Sequence, residues 1–300
     1  MSETDRLRRF LFENAPLRGH WVRLSGSWRE AREHQHLPAP ALALLGESLA
    51  AAVLVSASLK FTGTLTLQLL GSKGAVTMLV AQATDQRTLR GVAHVAEDAA
   101  AHGAAFHEQI DGGRLVVSVE QGEGVAPWQG IVPLGGDSLA ACLAHYFEVS
   151  EQLPTVLVLA ANGDAAAGLL LQKLPAPGGQ GEAAAAGAQH LWEEATALLA
   201  TLGAEELLAV EPAELLRRLF GAHDLRLFEA ERVSFACRCD RERVSALLRG
   251  LGREEIESIL AEQGAVTVTC EFCQKPYRFD AVDAARLFLA ASAEGNASLN

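Results

Sequence analysis

Four of the five cysteines sit close together near the end of the 300-residue chain: Cys237-Arg238-Cys239 and, after an interval of thirty residues, Cys270-Glu271-Phe272-Cys273. Two thiol pairs presented by two chain segments match a tetrahedral metal site, and an all-sulfur donor set suits zinc. None of the nine histidines lies between the pairs, which argues against a mixed Cys/His site. An iron–sulfur cluster is the competing occupant. Four thiolates around one dication leave about −2 of formal charge. Arg238, Arg241, Arg243 and Lys275 are near enough in sequence to offset it. The first pair is C-x-C, where zinc ribbons commonly use C-x-x-C. A disulfide closed over one intervening residue is strained, and strained disulfides are the reducible kind. The spacing therefore admits two readings, an inert structural site or a redox-active one.

Other chemistries find less support. A nucleic-acid-binding ribbon needs a basic face, yet residues 233–280 hold seven basic and eight acidic side chains. The whole chain has 25 Lys+Arg against 37 Asp+Glu, a net of −12, which disfavours phosphate backbones and anionic membranes as partners. A catalytic zinc keeps an open coordination position, whereas four cysteines fill the site. No G-x-S-x-G, P-loop or H-E-x-x-H motif occurs upstream, so no enzymatic activity is expected. What remains is a redox-sensing zinc module attached to a binding domain, or a constitutive protein-binding module whose zinc is purely structural. Few, clustered cysteines and charges throughout the first thirty residues point to the cytoplasm.

The elements that must carry these residues divide the chain in three. Residues 1–175 are expected to form an α+β core domain. Its strands are predicted at Thr64–Leu69, Ala75–Ala83, Leu89–Ala96, Leu115–Glu120 and Thr155–Ala160 from alternation and flanking glycines. Helices are predicted at Pro38–Leu59, with Pro38 in the first turn, and at Ser138–Glu148, with Asp137 as N-cap. Between Leu37 and Leu59 the only charge is Glu47, and the run is long enough to span a bilayer. Ser48, Ser56, Ser58 and the alternating strand that follows favour a buried core helix instead.

Residues 176–232 open with a Pro/Gly cluster and the Ala-rich Ala183–Ala188, then show short helical patterns. Leu191, Ala195, Leu198, Leu199 and Leu202 share one face; Leu215, Leu216, Leu219 and Phe220 form another apolar cluster. Ten acidic and four basic side chains give this linker a net of −6. It reads as a solvated connector or as a helix set weakly committed to folding. In residues 233–300, Val233–Ala236 and Val266–Cys270 look like strands, as does Tyr277–Phe279. Asp240 can cap a helix to Arg249, Gly264 can end one over Glu254–Glu262, and a last helix spans Ala281–Ala290. Such a short segment buries little apolar area without a cross-link or metal.

Several other residues invite attention and receive plainer readings. Cys142, in Leu139-Ala140-Ala141-Cys142-Leu143, reads as a small buried apolar side chain. His34 and His36 lack a completing ligand set beyond Glu33, and Trp21 and Trp28 read as core. Glu47 is placed near a domain or subunit interface, with no role assigned.

The cysteine spacing and the run Asp240-Arg241-Glu242-Arg243 resemble the zinc domain of the redox-regulated heat-shock chaperones, the 33-kilodalton chaperonins of bacteria. The resemblance extends over nearly the whole chain, Ala183–Ala188 excepted. It takes in Leu44-Leu45-Gly46-Glu47, Leu59-Lys60-Phe61, Leu65-Thr66-Leu67-Gln68, Leu89-Arg90-Gly91, Pro127-Trp128-Gln129-Gly130, the stretch from Tyr146 to Thr155, and Gly168-Leu169-Leu170-Leu171-Gln172. It implies an ATP-independent holdase for unfolding or oxidatively damaged clients. Reduced, Cys237, Cys239, Cys270 and Cys273 would hold one zinc per chain and the protein would be inactive. Oxidants would form Cys237–Cys239 and Cys270–Cys273 disulfides, expel zinc, unfold the zinc domain and loosen the linker. Active chains would associate as homodimers. Zinc binding energy is folding energy for so small a domain, which agrees with this scheme.

Overall fold

The structure, a computed structural model, describes residues 5–121, 125–175 and 182–288. It is mixed α+β and forms two compact units, one ending at Ala236 and one beginning at Cys237. In the first, β1 (Arg6–Phe12) and β2 (Leu17–Leu24) precede α1 (Gly26–Arg32) and α2 (Ala39–Ser58). There follow β3 (Thr64–Leu70), β4 (Val76–Thr84), β5 (Thr88–Val95), α3 (Phe106–Gln109), β6 (Arg114–Glu120), β7 (Trp128–Pro133) and α4 (Leu139–Tyr146). The hairpin β8 (Thr155–Ala161) and β9 (Ala166–Lys173) leads to α5 (Glu182–Leu199), α6 (Ala204–Ala209) and α7 (Pro212–Phe220). Short strands β10 (Leu225–Leu227), β11 (Glu231–Arg232) and β12 (Ser234–Phe235) complete the unit. The second unit holds α8 (Arg241–Leu251), α9 (Arg253–Gln263), β13 (Val266–Thr269) and β14 (Pro276–Phe279), then a helical stretch over residues 281–288. The last two residues of the helix expected to Ala290 lie outside the described residues.

Two six-stranded sheets organise the first unit. One runs β10-β1-β2-β9-β8 with β11 also on β1; the other runs β12-β5-β4-β3-β6-β7. Helix α2 lies between them, against β2, β8 and β9 on one side and β3, β4 and β5 on the other. That position explains its composition. A helix apolar all round must be buried all round, and Leu45, Leu49, Val53, Leu54 and Val55 are all buried. The membrane-length run is therefore a core helix. Pro38 is its N-cap, one residue outside the first turn where it was expected. Gly168 in β9 lets α2 approach, because a Cβ there would stand 2.7 Å from Leu54 Cδ1.

The first sheet is apolar on both faces. Val22 and Leu170 point to the α2 side, whereas Trp21, Leu169 and Leu171 point away. Strand β9 consequently reads as a continuous buried run, as a strand covered on two faces must. The far face carries Phe10, Phe12, Leu17, Trp21, Leu169 and Leu171, and α5–α7 lie on it. Ala195, Leu199, Leu202, Leu215, Leu216, Leu219 and Phe220 form their inner surface, so residues 182–220 are a fitted cover and not a solvated connector.

Arg23 fastens that cover. Its side chain, 4% exposed, donates from Nη1 to the carbonyls of Leu208 (3.4 Å), Ala209 (3.2 Å) and Val210 (3.3 Å) and pairs through Nη2 with Glu211. The carbonyls at the end of α6 are the unpaired, negative end of a helix, where a cation is favoured. The segment Val233–Ala236, expected to open the zinc domain, belongs to the first unit. Ser234 N–H donates to Arg87 O (3.1 Å), Ala236 N–H donates to Leu89 O (3.0 Å), and Val233 is buried in the main core. At α4 the N-cap is Ser138, whose hydroxyl accepts from Ala141 N–H, in place of the expected Asp137.

Candidate metal centre

Among the described residues, the second unit has a core cluster of seven buried apolar residues: Leu248, Ile256, Val266, Tyr277, Phe279, Ala284 and Leu287. At about 1.5–3 kcal/mol for each large side chain, so small a core falls well short of the entropy of ordering the chain, about 1–2 kcal/mol per residue. The cysteines sit at two places outside regular helices and strands. Cys237 and Cys239 lie on the extended segment before α8. Asp240 caps that helix by accepting from Arg243 N–H at 2.7 Å, and Arg243 Nη1 donates to Arg238 O at 2.7 Å. Cys270 and Cys273 lie in the turn between β13 and β14. There Gln274, in the left-handed region at φ 52°, donates its N–H to Cys270 O (2.7 Å), and Cys270 N–H donates to Lys275 O (3.0 Å).

All four Sγ atoms fall within 4.8 Å of one another. Cys237 and Cys270 sulfurs are 3.6 Å apart, and those of Cys239 and Cys273 are 3.4 Å apart. Tetrahedral Zn–S bonds of about 2.3 Å require S···S edges of about 3.8 Å, so the donor set fits one such ion. A cluster spreads its cysteines over several iron atoms, which sulfurs converging on one point do not suit. No other group of His, Cys, Asp or Glu among the described residues gathers in this way. Cys142 is buried in the first unit and takes no part, as expected. Trp21 and Trp28 are core.

The electrostatics favour a cation here. Burial raises the Cys237 thiol, but hydrogen bonds from the Cys239 N–H and the neighbouring thiols outweigh it and bring it down to about 7. Burial pushes Cys270 up and takes Cys273 up to about 12. Cys237 therefore ionises more readily than Cys270 or Cys273. Four thiolates together need a positive ion at their centre. Arg241, one of the expected charge-offsetting residues, is engaged elsewhere, with Asp283 (2.7 Å) and the Phe279 ring.

One contributor was not foreseen. Tyr277 donates its hydroxyl to Cys239 Sγ at 3.2 Å, and Lys275 Nζ lies 5.3 Å from the centre of the Tyr277 ring. In the sequence Tyr277 is only a strand residue; its reach to a thiol depends on the hairpin register Val268↔Tyr277. Hydrogen bonds to metal ligands orient them, and their loss typically weakens binding by tenfold or more. Tyr277→Phe is accordingly expected to weaken metal binding by roughly tenfold, measured by competition with a chromogenic chelator. Unchanged affinity would remove the hydroxyl from the site.

Fold and site together define a class: a two-sheet α+β unit followed by a small unit whose four thiols gather closely enough to hold one metal ion. The profile described as Hsp33 protein matches residues 5–280. The chain is 46% identical over 288 residues to the 33 kDa chaperonin of Nitrosococcus oceani, covering 96% of each. It is 43% identical over 290 residues to that of Chromobacterium violaceum, covering 96% of this chain and 95% of the relative. A crystal structure of the 33 kDa chaperonin from Thermotoga maritima superposes with a TM-score of 0.81 at 25% identity, over 96% of this chain and 99% of the other. The chain belongs to the Hsp33 family and is a chaperone of that type.

Proposed function

We propose that the chain is a redox-regulated, ATP-independent holdase. In the reduced state Cys237, Cys239, Cys270 and Cys273 hold one zinc ion and the chaperone is inactive. Zinc supplies the cross-link that the seven-residue core of the second unit lacks. Under oxidative stress each of the pairs Cys237–Cys239 and Cys270–Cys273 gives two electrons to one hydrogen peroxide, closing a disulfide as the peroxide takes two protons from solvent and becomes two waters. No thiolate then remains to hold the ion. The convergence of four sulfurs within 4.8 Å on so small a unit carries this reading. Once the segments part, each sulfur's nearest partner along the chain is its neighbour two or three residues away, which favours these pairs.

Loss of the second unit's fold frees the chain that follows β12. The strand joins β5 over only two residues, and we place the loosening of α5–α7 downstream of its release. The uncovered apolar face then takes unfolded clients, and active chains pair as homodimers in the cytoplasm. Reduced protein should fail to protect an unfolding client, while peroxide-treated, zinc-free protein should protect it without nucleotide. Equal protection in both states would return the metal to a purely structural role.

A further inference from the structure

Between α2, α3 and the start of α4 the first unit has a cavity of about 220 Å³. Leu44, Phe106 and Leu139 give it apolar walls, and Glu47, Gln109 and Ser138 give it polar ones. The proposed function uses none of these residues.

Glu47 is half-buried on α2 and has neither a hydrogen bond nor an ion pair among the described residues. Burial alone pushes its carboxyl up to about 7. Gln109 is 2% exposed. Its Nε2 donates to Gly103 O at 2.5 Å, and its Oε1 is buried without a donor. The Ser138 hydroxyl already accepts from Ala141 N–H as the cap of α4. Buried acceptors without donors are uncommon in folded proteins, and an unpartnered carboxyl in an apolar wall is costlier still. A negative group and a neutral acceptor on separate elements suit a compact ammonium with several donors better than the planar fork of a guanidinium. The apolar walls suit an alkyl stem, the way lysine buries its methylenes.

We propose that this cavity binds a primary alkylammonium group, with its charge on Glu47, a second donor on Gln109 and its stem along Leu44, Phe106 and Leu139. The source is either the lysine side chain of a bound polypeptide or a free amine. The site does not depend on the redox reading, because no cysteine of the metal centre lines it.

The test uses the full-length reduced chain at constant ionic strength. The Glu47 carboxyl is followed by carbon NMR while n-butylammonium is added, with 1-butanol as the uncharged counterpart. The amine should bind saturably and draw the Glu47 midpoint down toward the ordinary carboxylate range; the alcohol should not. Glu47→Gln should weaken amine binding about tenfold or more, the loss of a charged hydrogen-bond partner. A lysine blocked at both backbone ends separates the sources. Binding of blocked lysine as well as butylammonium points to a polypeptide side chain, and binding of butylammonium alone points to a free amine. An unmoved Glu47 midpoint, or equal binding of amine and alcohol, overturns the proposal. Because that readout is made on the unaltered chain, it stands even if the Glu47→Gln protein is perturbed.

Discussion

A chain ending at Pro175 is expected to suppress aggregation of an unfolding client with or without reductant. Residues 182–220 cover one face of the first sheet, and their removal bares Phe10, Phe12, Leu17, Trp21, Leu169 and Leu171 together. Six large side chains amount to several hundred Å², at or above roughly the largest apolar patch that soluble monomers usually show. The opposite face keeps α2 and five of the second sheet's six strands, losing only β12 and the buried Val233, so the fragment retains a core of its own. Its folding is checked first by circular dichroism. A folded but inactive fragment would mean that α5–α7 form part of the client site. A gentler version keeps the chain whole. Arg23→Met removes the donor that holds the end of α6 and takes the guanidinium away from Glu211, and breaking such a pair costs about 3–5 kcal/mol where it is buried. The Glu211 side chain is 43% exposed, so the loss should fall toward or below the lower bound. This variant should show partial activity while reduced.

Stripping the metal from reduced protein should unfold residues 237–288 and leave the first unit folded. A structural zinc in a small domain contributes about 10–16 kcal/mol of apparent binding energy at neutral pH. Seven buried apolar residues cannot replace it. Amide exchange should therefore become fast across α8, α9, β13 and β14 while α2 stays protected. Metal analysis of the untreated protein should return one zinc per chain, with Cys142 as the remaining thiol. Cys270→Ser should lower both occupancy and protection in the second unit. A second unit that keeps its protection without metal would sink the four-cysteine assignment.

The four-cysteine group was legible because its information is local: four thiols, two spacings and a capping aspartate all lie within one short stretch. The helix between the sheets was legible for the opposite reason, since burial on every side leaves a run with almost no charge. Strand β1 was not. Arg6-Leu7-Arg8-Arg9-Phe10-Leu11-Phe12 alternates poorly because Leu7 faces one core while Phe10 and Phe12 face the other. Strand β7 ends in Pro133 at a sheet edge and is half exposed, so neither burial nor composition marks it. Asp137 and Ser138 are both good caps on adjacent positions, and only backbone geometry distinguishes them. Arg23 and Tyr277 act through partners far along the chain, and no local pattern announces either.

The pairing of β1 with β10 and β11 also sets a timetable for synthesis. Arg6 meets Arg232 and Phe10 meets Leu227, so while β2 covers one edge of β1 at once, the other edge waits for nearly the last residues of the unit. At roughly 5–20 residues per second, the stretch from Pro175 to Arg232 takes a ribosome about 3–12 s. Early in that interval the nascent chain has its sheet hairpin β8–β9 but not yet the helices that cover it, which are complete only at Phe220. A half-made chain on the ribosome thus displays the same apolar face as the truncated fragment, and is itself in need of the protection that the finished family provides.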